Sequence, residues 1–177
     1  SDGARSIHLD GAGNLYVAGF SSAAWGAPVR AYAGSFDALA VQLSSSGALT
    51  WNSFFGSSGY EVAEGGALDA SGNFYLSGYG DTTWGTPVQS YGGGTDDALA
   101  IKVGSNGTLA WNTFLGGSGQ DIGEHIAVAG TSVFVTGSSD APWGTPWRAY
   151  GSGSDGYFAE LDASSGTRTS HAFLGGG

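Results

Sequence analysis

The sequence predicts an all-β protein built as a β-propeller, with three four-stranded antiparallel blades in the chain. Three observations carry the prediction. First, one motif occurs three times, as Trp25-Gly26-Ala27-Pro28-Val29-Arg30-Ala31-Tyr32, Trp84-Gly85-Thr86-Pro87-Val88-Gln89-Ser90-Tyr91 and Trp143-Gly144-Thr145-Pro146-Trp147-Arg148-Ala149-Tyr150. Its tryptophans are 59 residues apart, and the length of 177 residues is three such periods. Second, each period holds four short apolar segments, rich in aromatic and β-branched residues and bounded by Gly, Asn and Ser. Third, no stretch of useful length has helical periodicity. Four antiparallel strands repeated at a fixed period of this size are the mark of propeller blades. One blade buries little alone, so neighbours stack face to face to build the core.

The chain therefore divides into blades over about 1–55, 56–115 and 116–177, forming one unit. Each blade opens with an acidic, Gly-rich loop: Gly56-Ser57-Ser58-Gly59-Tyr60-Glu61-Val62-Ala63-Glu64 in the second, Gly116-Gly117-Ser118-Gly119-Gln120-Asp121-Ile122-Gly123-Glu124-His125 in the third, and only its tail, Ser1-Asp2-Gly3-Ala4-Arg5, in the first. A short inner strand follows, at Ile7-His8-Leu9, Ala67-Leu68 and Ile126-Ala127-Val128. Tight turns such as Asp10-Gly11-Ala12-Gly13-Asn14 come next, where Gly and Asn accept positive φ. The second strand, as in Phe74-Tyr75-Leu76-Ser77-Gly78, is almost continuously apolar, which predicts cover on both faces. A long connection then carries the Trp-Gly-x-Pro motif. The third strand alternates, as in Leu99-Ala100-Ile101-Lys102-Val103, and the fourth is Leu49-Thr50-Trp51-Asn52-Ser53-Phe54, its counterpart Leu109-Ala110-Trp111-Asn112-Thr113-Phe114, and 168–173. The third copy has Ser170 where the others have Trp51 and Trp111.

Composition narrows the function classes. A net charge of −10, with five Lys and Arg together, argues against nucleic acid as a partner and against attraction to an anionic membrane. No apolar run approaches the 18 or so residues of a membrane-spanning helix. The absence of cysteine removes disulfides, thiolate catalysis and cysteine zinc sites together. Few charges with abundant Gly, Ser, Thr and aromatics suit a secreted or cell-surface protein.

Gly116-Gly117-Ser118-Gly119-x-Asp121, Asp69 with Gly72-Asn73-Phe74-Tyr75-Leu76-Ser77-Gly78, and Tyr91-Gly92-Gly93-Gly94-x-Asp96-Asp97-Ala98-Leu99-Ala100-Ile101-Lys102 resemble the bacterial β-propeller repeats called SBBP repeats, over essentially the whole chain. The resemblance implies a propeller within bacterial secreted or surface proteins and no defined reaction. Three blades are too few to close a ring of the usual four to eight. The C-terminal Phe173-Leu174-Gly175-Gly176-Gly177 followed by Ser1-Asp2-Gly3 reads almost like the internal junction that begins at Phe114. Two chains closing one six-bladed ring, with one blade contact used within and between chains, is the first expectation. A segment of a longer propeller is the alternative.

Function is expected on the side bearing the long connections, since binding concentrates on extended loops over a rigid scaffold. Trp25, Trp84, Trp143, Tyr32, Tyr91 and Tyr150 would stack on sugar faces, with Arg30 and Arg148 giving hydrogen bonds, so a glycan is the expected ligand. The same rings would otherwise pin each long loop to its blade. Asp2, Glu61, Glu64, Asp121 and Glu124 precede the inner strand and would ring the central opening. They form either a solvated acidic rim or a calcium site, the one cofactor considered. Asp37, Asp96, Asp97 and Asp155 would accept backbone N–H bonds where the long loop ends, with a calcium role there as the alternative. His8, His125 and His171 fall at different repeat positions and form no repeated set. With no nucleophile, phosphate-loop or dinucleotide motif, a non-catalytic binding module is expected. The competing classes are a purely structural scaffold and an enzyme with a carboxylate pair in the central opening.

Overall fold

The computed structural model describes residues 1–176, and within them every regular element is a strand. The first sheet holds β1 (Asp2–Leu9), β2 (Leu15–Ser21), β3 (Asp37–Leu43) and β4 (Leu49–Phe55). The second holds β5 (Glu61–Leu68), β6 (Phe74–Gly80), β7 (Asp97–Val103) and β8 (Leu109–Leu115). The third holds β9 (Asp121–Ala129), β10 (Ser132–Ser139), β11 (Asp155–Asp162) and β12 (Arg168–Leu174). In each sheet the four strands lie in chain order and pair antiparallel, as blades require.

The inner strands are longer than the sequence suggested. Glu61 to Glu64 and Asp121 to His125, expected in loops, belong to β5 and β9. A β-bulge admits them. Register shifts between Ala4 and Ser6, and between Ala63 and Gly65, leave Arg5 and Glu64 as extra residues; a shift at Thr136/Gly137 does the same for Glu124. Opposite each bulge stands a glycine. A β-carbon on Gly19, Gly78 or Gly137 would lie 1.8 Å from the carbonyl oxygen of Gly3, Val62 or Ile122. No side chain fits there, which explains the glycine that ends each aromatic run.

The core lies between sheets. Tyr16, Ala18, Ala38, Ala40, Trp51 and Phe55 of the first sheet pack on Phe74, Leu76, Leu99, Ile101, Val103 and Phe114 of the second. The opposite face of the second sheet, with Tyr75, Ala98, Ala100 and Trp111, packs on Val133, Val135, Tyr157, Ala159 and Leu161 of the third. Small alanines on one face admit large side chains from the next, so the layers interdigitate. Trp51 Nε1 donates to the Ser105 carbonyl (3.0 Å) and Trp111 Nε1 to the Ala163 carbonyl (3.2 Å), each reaching into the following blade's hairpin turn. Two isolated parallel bridges, Phe36 with Tyr60 and Asp96 with Gln120, stitch successive sheets.

The expected cover on both faces of the second strand holds in the middle sheet only. β6 is buried throughout except at Tyr79, whereas β10 alternates, with Phe134 and Thr136 exposed. The sequence is similar, but β10 has no sheet beyond it.

Candidate functional site

Each Trp-Gly-x-Pro connection folds back along the outer edge of its own blade. Val29 N donates to the Asn52 carbonyl and Phe54 N to the Arg30 carbonyl (2.9 and 3.1 Å). The same pair of bonds recurs as Val88 to Asn112 and Phe114 to Gln89, and as Trp147 to His171 and Phe173 to Arg148. The loop thereby occupies backbone groups of an edge strand that would otherwise be open to pairing with another chain. The turn into it needs left-handed backbone at the motif glycine, with φ of 68° at Gly26, 65° at Gly85 and 59° at Gly144. The asparagine after each β4-type tryptophan clamps the turn: Asn52 Nδ2 donates to the Trp25 carbonyl (2.9 Å) and Asn112 Nδ2 to the Trp84 carbonyl (3.2 Å). In the third blade His171 Nε2 takes that role on the Trp143 carbonyl (2.9 Å), and its ring stacks on the indole at 4.1 Å and 6°. Burial holds the His171 imidazole below its ordinary pKa, which favours the neutral ring in this stack.

This geometry corrects the sugar-stacking expectation. Trp84 and Trp143 are 4% and 5% exposed, so neither indole presents a face to a ligand. Tyr32 Oη donates to the Ser22 or Ser35 carbonyl, Tyr91 Oη to the Gly94 carbonyl, and Tyr150 Oη to the Asp140 or Gly153 carbonyl, all within the tyrosine's own loop. Arg30 donates to the carbonyls of Phe54 (2.6 Å) and Gly56 (3.2 Å), with its guanidinium 5.0 Å from the Trp84 ring. Arg148 donates to the Phe173 carbonyl (2.9 Å). These residues are loop fasteners. Of the six rings only Trp25, at 37%, is exposed, and it lies against the open face of the first sheet with Leu39 and Val41.

The acidic residues do not converge on a central cation either. Among the described residues no three His, Cys, Asp or Glu side chains gather as metal ligands. Glu64 pairs with Arg5 across the first junction (3.4 Å), Glu124 is exposed, and Asp2 accepts from the Ser21 hydroxyl. Glu61 and Asp121 turn inward, where each meets an aspartate from the preceding blade. A β-carbon on Gly56 would lie 2.4 Å from Glu61 Oε2 and 2.7 Å from Asp37 Oδ1; on Gly116 it would lie 2.5 Å from Asp121 Oδ2 and 2.8 Å from Asp97 Oδ1. Each blade junction therefore buries a carboxylate pair under a glycine. Each carboxylate accepts from a backbone amide four or five residues upstream: Ala33 to Asp37, Ser57 to Glu61, Gly92 to Asp97, Gly117 to Asp121. Burial raises all four above the ordinary carboxylate range, Glu61 and Asp97 to about 7, and the like charge of the partner adds to it for those two. Asp155 accepts from Gly151 in the same way (2.6 Å), without a following blade.

A hollow of about 620 Å³ lies at the opposite end from the long loops, between the short turns of the first two blades. Leu9, Tyr16, Gln42, Leu68, Asp69 and Ser105 line it. Its aspartates serve the turns: Asp69 accepts from the amides of Ser71 and Asn73, and Asp10 from those of Ala12 and Asn14. Sequence reasoning missed the junction pairs because a turn-stopping aspartate and a buried one look alike. The usable signal was a glycine five residues before three of the four acids, Gly56 before Glu61, Gly92 before Asp97 and Gly116 before Asp121, with Asp37 lacking it. No protein-family model matches the chain, and a search of curated proteins returns no match. The functional reading therefore rests on the arrangement of its residues.

Proposed function

We infer that the chain is a non-catalytic scaffold of propeller blades whose two outer faces are completed by further blades. A second copy of the chain closing a six-bladed ring is the first reading. The observation that carries it is the burial of one repeated residue. Trp84 and Trp143 are covered by the preceding blade, while Trp25, which has none, is 37% exposed. At the far end, Leu174 is 58% exposed where Phe55 and Leu115 are fully buried. Exposed apolar faces of this extent mark interaction surfaces.

The two ends carry unmatched halves of contacts that the interior completes. Arg30 covers Trp84 from the blade before; Arg148 and Trp25 are the corresponding free halves. Asp37 meets Glu61 across a junction; Asp155 and Asp2 are the free halves of that pairing. The seam would still differ from the internal junctions, contrary to a single repeated contact. Ser170 replaces the reaching tryptophan, Phe158 replaces Ala40 and Ala100, and Trp147, 75% exposed, stands edge-on to Phe158. Further blades of a longer polypeptide remain the alternative occupant. The resemblance to SBBP repeats supports a secreted or cell-surface setting for either.

Light scattering tests the reading. The two-copy ring predicts twice the chain mass at micromolar concentration, falling to the single-chain mass in Trp25→Ala with Arg148→Ala. A stable monomer across that range sinks the two-copy ring.

A further inference from the structure

The two buried carboxylate pairs are built alike and differ in charge. At the Asp37–Glu61 junction, Arg30 reaches the carbonyl of Gly56, the residue that roofs the pair, and its positive charge acts on both acids. At the Asp97–Asp121 junction the position of Arg30 is held by Gln89, which is uncharged. The further charges acting on this pair are Asp96 on Asp97 and Asp140 on Asp121, both carboxylates. Asp97 and Asp121 have no exposed surface, and Oδ1 of each has no hydrogen-bond partner. The hydroxyl beside Asp121, Ser139 Oγ, donates instead to the Ala141 carbonyl (2.8 Å). Asp97 Oδ1 and Asp121 Oδ2 face one buried spot beneath Gly116, 2.8 and 2.5 Å from where a β-carbon on that glycine would lie, with no protein cation to balance them. Uncompensated buried charge is costly, and such a pair must take up a proton or a cation.

We propose that the Asp97–Asp121 junction binds a hard divalent cation of the calcium type, and that Arg30 supplies the corresponding positive charge at the Asp37–Glu61 junction. A single shared proton would leave one buried negative charge offset only by neutral donors such as the amides of Gly92 and Gly117, with no cation beside it. A divalent cation neutralises both carboxylates. Calcium takes oxygen ligands in flexible geometry, which suits two aspartates joined by carbonyls and water. The bonds from Gly92 and Gly117 fix the carboxylates while leaving their Oδ1 atoms free. With only two carboxylates the affinity falls in the weak class of extracellular modules, with Kd about 10⁻⁴–10⁻³ M. The site lies wholly within the chain, so it stands whether or not a second copy closes the ring.

Terbium luminescence provides the test, because Trp143 sits beside the site: its β-carbon is 3.0 Å from where one on Gly117 would be. Excitation of the indole should give saturable terbium emission at one ion per chain, displaced by calcium. Calcium should raise the thermal midpoint and a chelator should reverse that. Gln89→Arg, which copies the first junction, should fold by far-ultraviolet circular dichroism and lose both responses. Asp121→Asn should lose the emission. Absence of saturable emission, a midpoint indifferent to calcium, or a folded Gln89→Arg that binds terbium as before would each overturn the proposal. The pair would then hold a proton. If Asp121→Asn does not fold, Gln89→Arg alone decides. Light scattering reads the ring and terbium reads the junction, so either can fail without the other.

Discussion

The Trp-Gly-x-Pro loops of the first and second blades share a motif, a left-handed glycine and an asparagine clamp, yet their tryptophans live in different surroundings. Trp84 lies under Arg30 and beside Phe114 and Leu99, part of a core shared by two sheets. Trp25 stands edge-on to Phe54 on a face that nothing covers. The tryptophan, its left-handed turn and its asparagine clamp are alike; the main difference is the neighbouring sheet. The loop conformation is thus a property of one blade, and the burial of its indole is a property of two. Trp84 also shows where the repeat is imperfect. Trp143 Nε1 donates to Ser139 Oγ (3.2 Å), but Gly80 stands where Ser139 would be, and Trp84 Nε1 has no partner.

The contrast can be broken most strongly at the indoles. Trp84→Ala should cost about 3–5 kcal/mol in urea denaturation, as for other large buried aromatics. Trp25→Ala, measured on the monomeric chain, should cost under about 1 kcal/mol, the range of surface substitutions and partial burial. Equal losses would mean that Trp25 is buried in solution. Next come the bulges, which do not depend on neighbours. Gly78→Ala and Gly19→Ala should each destabilise by about 1–3 kcal/mol or more, because the new β-carbon meets a carbonyl oxygen in both. Gly11→Ala, with nothing within 4 Å of the added carbon, should stay within about 0.5 kcal/mol.

A smaller effect is the pH dependence contributed by the first junction. Burial lifts the Glu61 carboxyl from 4.5 to about 7, so the folded chain holds that proton more tightly than the unfolded one. The contribution is present in full below about pH 4.5, declines as pH rises towards 7, and is gone above it. His8 and His171, lowered by burial, act with the opposite sign below their ordinary 6.5, so wild type must be compared with Glu61→Gln. The variant should melt with a flatter pH dependence between 5 and 8, and its advantage should grow towards pH 8. A constant difference across that range would remove Glu61 as the titrating group. Last, His171→Asn should keep the Trp143 carbonyl clamp and lose only the ring stack, at about 0.5–1.5 kcal/mol. A gain in stability would show that the stack is strained.

Much of this molecule is local and therefore legible from residue order. Leu15-Tyr16-Val17 and its counterparts form strands because aromatic and branched side chains suit a pleated sheet, and Asp10 to Asn14 forms a turn because its own carboxylate closes it. The 59-residue period alone implied three like blades. The boundary at Glu61 was not legible, since an acid at a strand start and an acid in a loop have the same neighbours in sequence. Nor was the fate of the tryptophans, because stacking on a sugar and pinning a loop call for the same flat, half-polar ring.

Chain order alone thus settles strands, turns and their threefold recurrence, which depend on contacts within one blade. Stacking of the sheets decides the rest: that Asp97 meets Asp121 under Gly116, that Trp84 is hidden while Trp25 is not, and that β6 is covered on both sides and β10 on one. Burial and charge pairing between blades join residues distant in the chain, Asp97 and Asp121 24 positions apart and Arg30 and Trp84 54, and no local pattern encodes which of three near-identical copies has a neighbour.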